Sequence, residues 1–508
     1  MTLPRPIRLF ICLVISTLAG HAIAQVAVPT SPVSPAPAEV PLDPPPPPPA
    51  YTNLPDMGSG ANALISRADE YQVGRMMVHN LRKEGAVLED PEITEYINNI
   101  GQRIGSEAQE GTQRFQFFMV KDPSFNAFAL PGGFIAVHSG LYMQTDSESE
   151  LAGVIAHEIA HVTQRHIARA IQAQSRNSLP MMAALLGAIL IGAMSGGDAA
   201  PGLIAMAQGA AMQQQINFTR MEEYEADRVG MGYLSSAGFD PNAVASLWSS
   251  KLRTDGVDFS EMPELLRTHP VDRLRIAEAR QRAAQLPKRR VTDAPSYGLM
   301  RERIRVIASN TDTDLRSYYR GRLERGDKSV PVRYGLALAE MRIGSPATAA
   351  RSLQQLVEEQ PGNIALHNAL GQAQMAAGQK DAALKSFAHA IGLFPRNVPL
   401  TVRYAEALIE AGQPGKAHAL LLDVFNNVVP TPEQIRLTAL AASAAGDTGD
   451  AYYYMSEYHI SSGDLMLATQ QLDLALTAPR LTDVQRKRFM ARRDEIRGYL
   501  REQRRGRG

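Results

Sequence analysis

The chain is poor in cysteine. Its single example, Cys12, lies in the apolar stretch that opens the sequence, so removing that stretch would leave no thiol, and disulfide scaffolds and thiol catalysis are excluded. A charge bias is also missing: Lys+Arg and Asp+Glu both number 52. The strongly basic footprint of a nucleic-acid binder is therefore absent, and no nucleic-acid partner is expected. Long hydrophobic runs are lacking as well, since Leu9–Leu18 and Met181–Met194 both fall short of the roughly 20 residues that span a bilayer. What remains is ordinary globular usage, 44% hydrophobic and 20% charged over 508 residues. That is too long for one compact core, so two or more domains are expected.

The first segment, 1–24, reads as an export signal: Arg5 and Arg8 give a positive start, Leu9–Leu18 an apolar centre, and Ala22-Ile23-Ala24 a small-x-small cleavage site. The mature chain is expected to begin at Gln25, in the periplasm. Residues 25–60 are rich in proline, with an unbroken run from Pro44 to Pro49, and form an extended tether rather than a core. Residues 61–290 alternate helical periodicity with short aromatic and β-branched runs at Phe115–Val120 and Gly133–Val137, which predicts a small hairpin or sheet in a helical domain. Met181–Met194 and the weakly apolar Leu203–Met212 read as a buried helical hairpin or as an element touching a membrane. Their shortness favours the hairpin.

The last third repeats. Gly344, Gly378, Gly412 and Gly446 are spaced by 34 residues, as are Ala349, Ala383, Ala417 and Ala451. That period, with glycine at a turn and alanine where paired helices approach, is the tetratricopeptide signature. The array is assigned to 331–480, behind a helical connector at 291–330. After Gly446 the phase slips by half a repeat to Gly463. The tail, 481–508, is basic and reads as a solvated helix that could touch a membrane peripherally. The fold class expected is mainly α: an α+β protease domain with a small β-sheet, followed by a tetratricopeptide α-solenoid.

The chemistry lies in His157-Glu158-Ile159-Ala160-His161. On a helix, positions i and i+4 share a face, so both imidazoles can hold one zinc ion while Glu158 reaches water at the metal as general base. A catalytic zinc needs a third protein ligand. The block Glu222-Glu223-Tyr224-Glu225-Ala226-Asp227 supplies candidates. Glu223 with Asp227 one turn later suits a ligand plus a carboxylate that fixes a ligand histidine. Glu222 stays open as the alternative, and Glu225 is expected to face elsewhere and make a surface pair.

These motifs, with the Asn126–Gly133 run, Val162-Thr163-Gln164-Arg165-His166 and Thr268-His269-Pro270, resemble those of the HtpX/CAAX-prenyl-protease-like zinc endopeptidases. The repeat array behind such a domain and the export signal before it resemble the periplasmic branch of that family, which serves outer-membrane β-barrel assembly. The resemblance implies His157, His161 and Glu223 as zinc ligands, Glu158 as base and Asp227 as the residue that orients a ligand. It implies His269 as a fourth ligand from a plug segment or as a hydrogen-bond donor to the transition state, and Arg275 near the reacting carbonyl. Asn126, Ala127, Phe128 and Ala129 would form a substrate-binding edge strand. The partners implied are misfolded or stalled outer-membrane proteins and their assembly machinery, held by the repeats. The activity implied is a zinc endopeptidase in quality control, or a largely latent one acting as a chaperone or adaptor. His166 and the other remaining histidines carry no motif partner and read as structural or solvated.

Overall fold

The computed structural model describes residues 66–108, 113–171, 220–252, 264–287, 291–309 and 311–505. The export signal, the proline-rich tether and the apolar stretches Met181–Met194 and Leu203–Met212 lie outside the described residues. Two helices open the fold. In α1 (Arg67–Lys83) the Ser66 side chain caps the first turn, and in α2 (Pro91–Gly105) Asp90 does so, with proline at the first position. Ile93, Tyr96, Ile97, Ile100 and Ile104 line the buried face of α2, the stripe that a period of 3.6 produces.

The sheet has three strands, β1 (Gln116–Val120), β2 (Ala127–Leu130) and β3 (Phe134–His138), in the order β1-β3-β2. The hairpin joins β2 to β3, while β1 runs parallel to β3. Residue patterning picks out the first and last strands, and β2 falls where the family resemblance implies an edge strand at Asn126–Ala129. The strand β3 is buried along its whole length, as a central strand covered on both faces must be. The edge positions fall to β1 and β2.

After α3 (Ser139–Gln144) comes α4 (Glu148–Thr163), capped by Ser147. Every residue of α4 except Val162 is buried, so this helix runs through the core rather than over it. The chain returns with α5 (Arg220–Ser236), which crosses α4 closely. Gly230 permits that approach: a Cβ there would stand 2.8 Å from the Ala156 carbonyl oxygen and 3.1 Å from His157 Cα. Next come α6 (Asn242–Leu252), α7 (Glu264–Thr268) and α8 (Arg273–Gln285).

Helices α9 (Pro295–Ala308) and α10 (Asp312–Glu324) lead into the repeats. These are α11 (Val330–Arg342), α12 (Pro346–Glu359), α13 (Ile364–Ala376), α14 (Lys380–Leu393) and α15 (Val398–Glu410). They continue as α16 (Pro414–Phe425), α17 (Pro432–Ala444), α18 (Thr448–Ser462), α19 (Leu465–Thr477) and α20 (Asp483–Arg505). The periodic glycines have φ of 88°, 73°, 75° and 83°, the left-handed turn expected of them. Ala349, Ala383 and Ala417 are fully buried, whereas Ala451 is only partly so. The half-period slip is also explained. Gly463 and Asp464 join α18 directly to α19, so the short link stands where a longer inter-repeat connection runs earlier in the array.

The basic tail differs from the expectation of a solvated helix. Phe489 and Ile496 of α20 are buried against Ala468, Leu472 and Ala475 of α19, and Arg488, Arg492 and Arg497 pair back to Asp450, Glu457 and Asp473. A further contact ties the array to the first domain. Arg403 of α15 and Arg303 of α9 both reach Asp90 and Glu92 at the start of α2, and one continuous apolar core runs from α2 to α13. No helix among the described residues is long and apolar enough to cross a membrane.

Candidate metal centre

The helix α4 places His157 and His161 on one face, one turn apart, with both side chains buried. Their Nε2 atoms lie 2.9 Å from each other. From α5, Glu223 approaches with its carboxylate 3.4 Å from His157 Nε2 and 3.5 Å from His161 Nε2. Glu222, the alternative left open by the sequence, turns instead towards Arg169 at 3.5 Å. His269, just past α7, closes the group: its Nδ1 is 2.9 Å from Glu223 Oε1 and its Nε2 is 3.7 Å from Glu158 Oε1. One donor atom from each of His157, His161, Glu223 and His269 falls within 4.8 Å of all the others.

This donor set fits a dication. Imidazole nitrogens whose lone pairs converge repel one another unless a proton or a cation lies between them. Burial works against charge on His157, yet Asp227 and Glu223 outweigh it and hold its pKa at about 10. Burial and the charge on His157 push His161 well below its ordinary value. Glu223 is held well below the carboxylate range by His269 and His157 despite its burial. Nitrogen and oxygen donors without sulfur, in a group of this size, suit zinc. Glu158 is 1% exposed and neither of its oxygens makes a hydrogen bond of ordinary geometry. Its burial raises its pKa, partly offset by His269 and His157, so it is poised as a base beside the donors.

Around the donors the structure sorts the remaining candidates. Asp227 Oδ1 lies 2.9 Å from His157 Nδ1, where a carboxylate fixes the ring so that Nε2 faces inward. Arg275, which the resemblance implies near the reacting carbonyl, is engaged by carboxylates beside the donors. Its guanidinium donates to both Asp227 oxygens at 2.7 and 2.8 Å and to the Pro270 carbonyl at 2.7 Å, and lies 3.0 Å from Glu223. It therefore holds the two carboxylates in place. Ala127, Phe128 and Ala129 do lie on an edge strand, with Asn126 leading into it, and the Ala129 amide faces Glu158.

Two residues have roles that their motifs do not announce. His166 is fully buried, with Nδ1 2.7 Å from His161 Nδ1 and Nε2 3.2 Å from Glu225 Oε2. Glu225 thus makes the expected pair with a partly exposed neighbour, Arg169 at 3.0 Å, and in addition reaches the buried His166. Its pKa is drawn down to about 2, first by the His166 hydrogen bond. The signal is hidden because the helical period ends at Thr163 and Arg165, with φ of 54°, breaks the path before His166. A glycine would have announced that turn; an arginine does not.

Parts of this chain are similar to known families and proteins. Residues 91–283 match peptidase family M48. Residues 375–442 match the tetratricopeptide repeat. The chain is 39% identical over 313 residues to the putative beta-barrel assembly-enhancing protease of Vibrio cholerae, covering 61% of this chain and 64% of that protein. It is 36% identical over 312 residues to the beta-barrel assembly-enhancing protease of Escherichia coli strain K12, with the same 61% and 64%. The mitochondrial metalloendopeptidase OMA1 of Schizosaccharomyces pombe is 31% identical over 183 residues, 36% of this chain and 51% of that one. The matched stretch thus spans 64% of the length of the first two relatives. An M48-type domain followed by tetratricopeptide helices is the organisation found here.

Proposed function

We propose that this chain is a zinc-dependent endopeptidase of the periplasm that acts on outer-membrane β-barrel proteins during their assembly. The observation that carries the chemistry is the convergence of His157, His161, Glu223 and His269 within 4.8 Å, with the buried Glu158 alongside. Zinc, when bound there, supplies a Lewis acid that makes water a nucleophile near neutral pH and polarises the peptide carbonyl. His157, His161 and Glu223 hold it. Asp227 keeps the His157 ring turned inward, and Arg275 keeps Asp227 and Glu223 in place. Glu158 takes the proton from the attacking water and passes it to the departing amine. An extended peptide pairs with the open side of β2 through backbone hydrogen bonds. His269, whose Nε2 faces Glu158, would donate a hydrogen bond to the developing oxyanion. No covalent intermediate is required.

The repeat array is read as the surface that recruits substrate or assembly machinery, by the general use of such solenoids in protein binding and by the likeness to beta-barrel assembly-enhancing proteases. Periplasmic residence rests on the export signal of residues 1–24. One observation favours a second reading. His269 is fully buried among the donors and 3.7 Å from Glu158, where an entering substrate would have to displace it, as in a latent protease that serves chiefly as an adaptor. Casein cleavage by the zinc-loaded chain separates the readings. Cleavage that disappears in Glu158→Gln supports the protease, and faster cleavage in His269→Ala supports latency. No cleavage by either the wild-type chain or His269→Ala contradicts the enzymatic reading.

A further inference from the structure

The two helix-borne histidines are steadied in different ways. His157 has a carboxylate directly at Nδ1, Asp227 at 2.9 Å. His161 has at its own Nδ1 another imidazole, His166 at 2.7 Å, and only behind that a carboxylate, Glu225 at 3.2 Å from His166 Nε2. The ring of His161 is fully buried, and its Nε2 points at His157 Nε2 and Glu223. A histidine that ligates through Nε2 carries its remaining proton on Nδ1. That proton is donated to His166 Nδ1, which must accept. A neutral His166 that accepts at Nδ1 carries its own proton on Nε2 and donates it to Glu225. The hydrogen-bond directions along the whole chain are thereby fixed by one requirement at its inner end.

We propose that His166 and Glu225 are positioning residues for the metal centre, a histidine–carboxylate relay that holds His161 in the tautomer and ring orientation required of a ligand. This inference rests on the metal reading given above. The backbone is built for it. α4 ends at Thr163, and Arg165, at φ 54°, breaks the helical path before helix resumes at His166. His166 is thereby brought back against a residue five positions earlier, a separation at which two side chains of one straight helix do not meet face to face. The turn is anchored from outside by Glu70 of α1, 2.7 Å from Arg165 Nη2. The outer carboxylate is anchored by Arg169, 3.0 Å from Glu225. A buried imidazole without such partners would be costly, so the arrangement also satisfies His166 itself.

The test uses the full chain in four forms: wild type, His166→Phe, His166→Asn and Glu225→Gln. Zinc affinity is measured by competition with a chromogenic chelator, the d–d bands of the cobalt-loaded form report ligand geometry, and thermal melting of the metal-free form reports packing. Removing the relay in His166→Phe should weaken zinc binding about ten- to a hundredfold and shift the cobalt bands. His166→Asn keeps an acceptor where His166 Nδ1 stood, so it should recover part of that loss, and Glu225→Gln should cost roughly three- to tenfold. Wild-type affinity in His166→Phe overturns the relay while leaving the metal centre intact. Equal loss in the Phe and Asn variants, matched by equal loss of metal-free stability, overturns it in favour of packing alone. A wild-type chain that binds no zinc removes the metal reading itself, and the relay with it.

Discussion

Two groups of buried charge in this molecule are built from similar residues and come to opposite ends. Where the array meets α2, Asp90 and Glu92 face Arg303 and Arg403, with the Asp90 carboxylate receiving Arg303 at 2.7 and 2.8 Å and Arg403 at 2.8 Å. Two carboxylates meet two guanidiniums, and the group is neutral and closed. Despite burial, Arg303 and Arg403 hold Asp90 far below the usual carboxylate range. Around α4, by contrast, three imidazoles and the Glu223 carboxylate direct their donors at one another, and Arg275 compensates only Asp227 and Glu223. Glu158 stays buried without a hydrogen bond of ordinary geometry. A closed group locks domains together; an open one is incomplete until a cation enters. Burial alone separates neither case, since both are buried. The presence or absence of matched partners does.

The largest expected effect breaks the open group without touching the closed one. Glu158→Gln should lower peptide cleavage by about 10²–10⁴-fold, the usual worth of a general base, with zinc content by elemental analysis unchanged. The converse break is Arg303→Met, which leaves Asp90 and Glu92 buried with one guanidinium fewer. It should cost about 3–5 kcal/mol of stability in denaturant unfolding, and zinc should remain bound wherever the chain is still folded.

A third variant acts on the scaffold of the open group. Gly230→Ala forces a methyl group against the Ala156 carbonyl at 2.8 Å, prising apart the helices that carry His157 and Glu223. A loss of about 1–3 kcal/mol is expected from overpacking, and zinc retention against a chelator should fall with it. The smallest effect sharpens the interface side. Glu95, hydrogen-bonded by Asn397 of the array, has its pKa raised by burial from 4.5 to about 7. Because the folded state holds that proton more tightly than the unfolded one, stability should decline as pH rises from about 4.5 through 7 and then level off. The decline should be of order 1 kcal/mol, given partial solvent screening, and Glu95→Gln should flatten that part of the unfolding pH profile.

Much of the metal centre and of the array is legible in the residues alone. The i, i+4 histidines of α4 and the 34-residue glycine spacing are local periodicities, and a helix turns local spacing directly into geometry. The same rule favours Glu223 as the carboxylate ligand. What stays hidden depends on contacts distant in sequence. β2 is short and apolar, and no local periodicity marks its pairing with β3; only the family resemblance implies a strand there. The roles of Asp90 and Glu92 depend on Arg403, more than three hundred residues away. His166 lies within the motif region but beyond a turn made by Arg165, a residue type that gives no hint of positive φ. Arg275 is near the site in space, and its partners, Asp227 and Pro270, lie 48 and five residues away in sequence, so its hold on the carboxylates cannot be read from its motif.

Completion of the group around α4 by zinc is the point on which everything else turns, and X-ray absorption at the zinc edge of the purified chain probes it without an assay of activity. One zinc per chain is expected, with nitrogen and oxygen neighbours at about 2.0–2.2 Å. The longer-range scattering of at least two imidazoles should accompany them and should disappear when His157 and His161 are both replaced by alanine. A chain without zinc, or zinc whose spectrum is unchanged by that double replacement, would contradict the assignment.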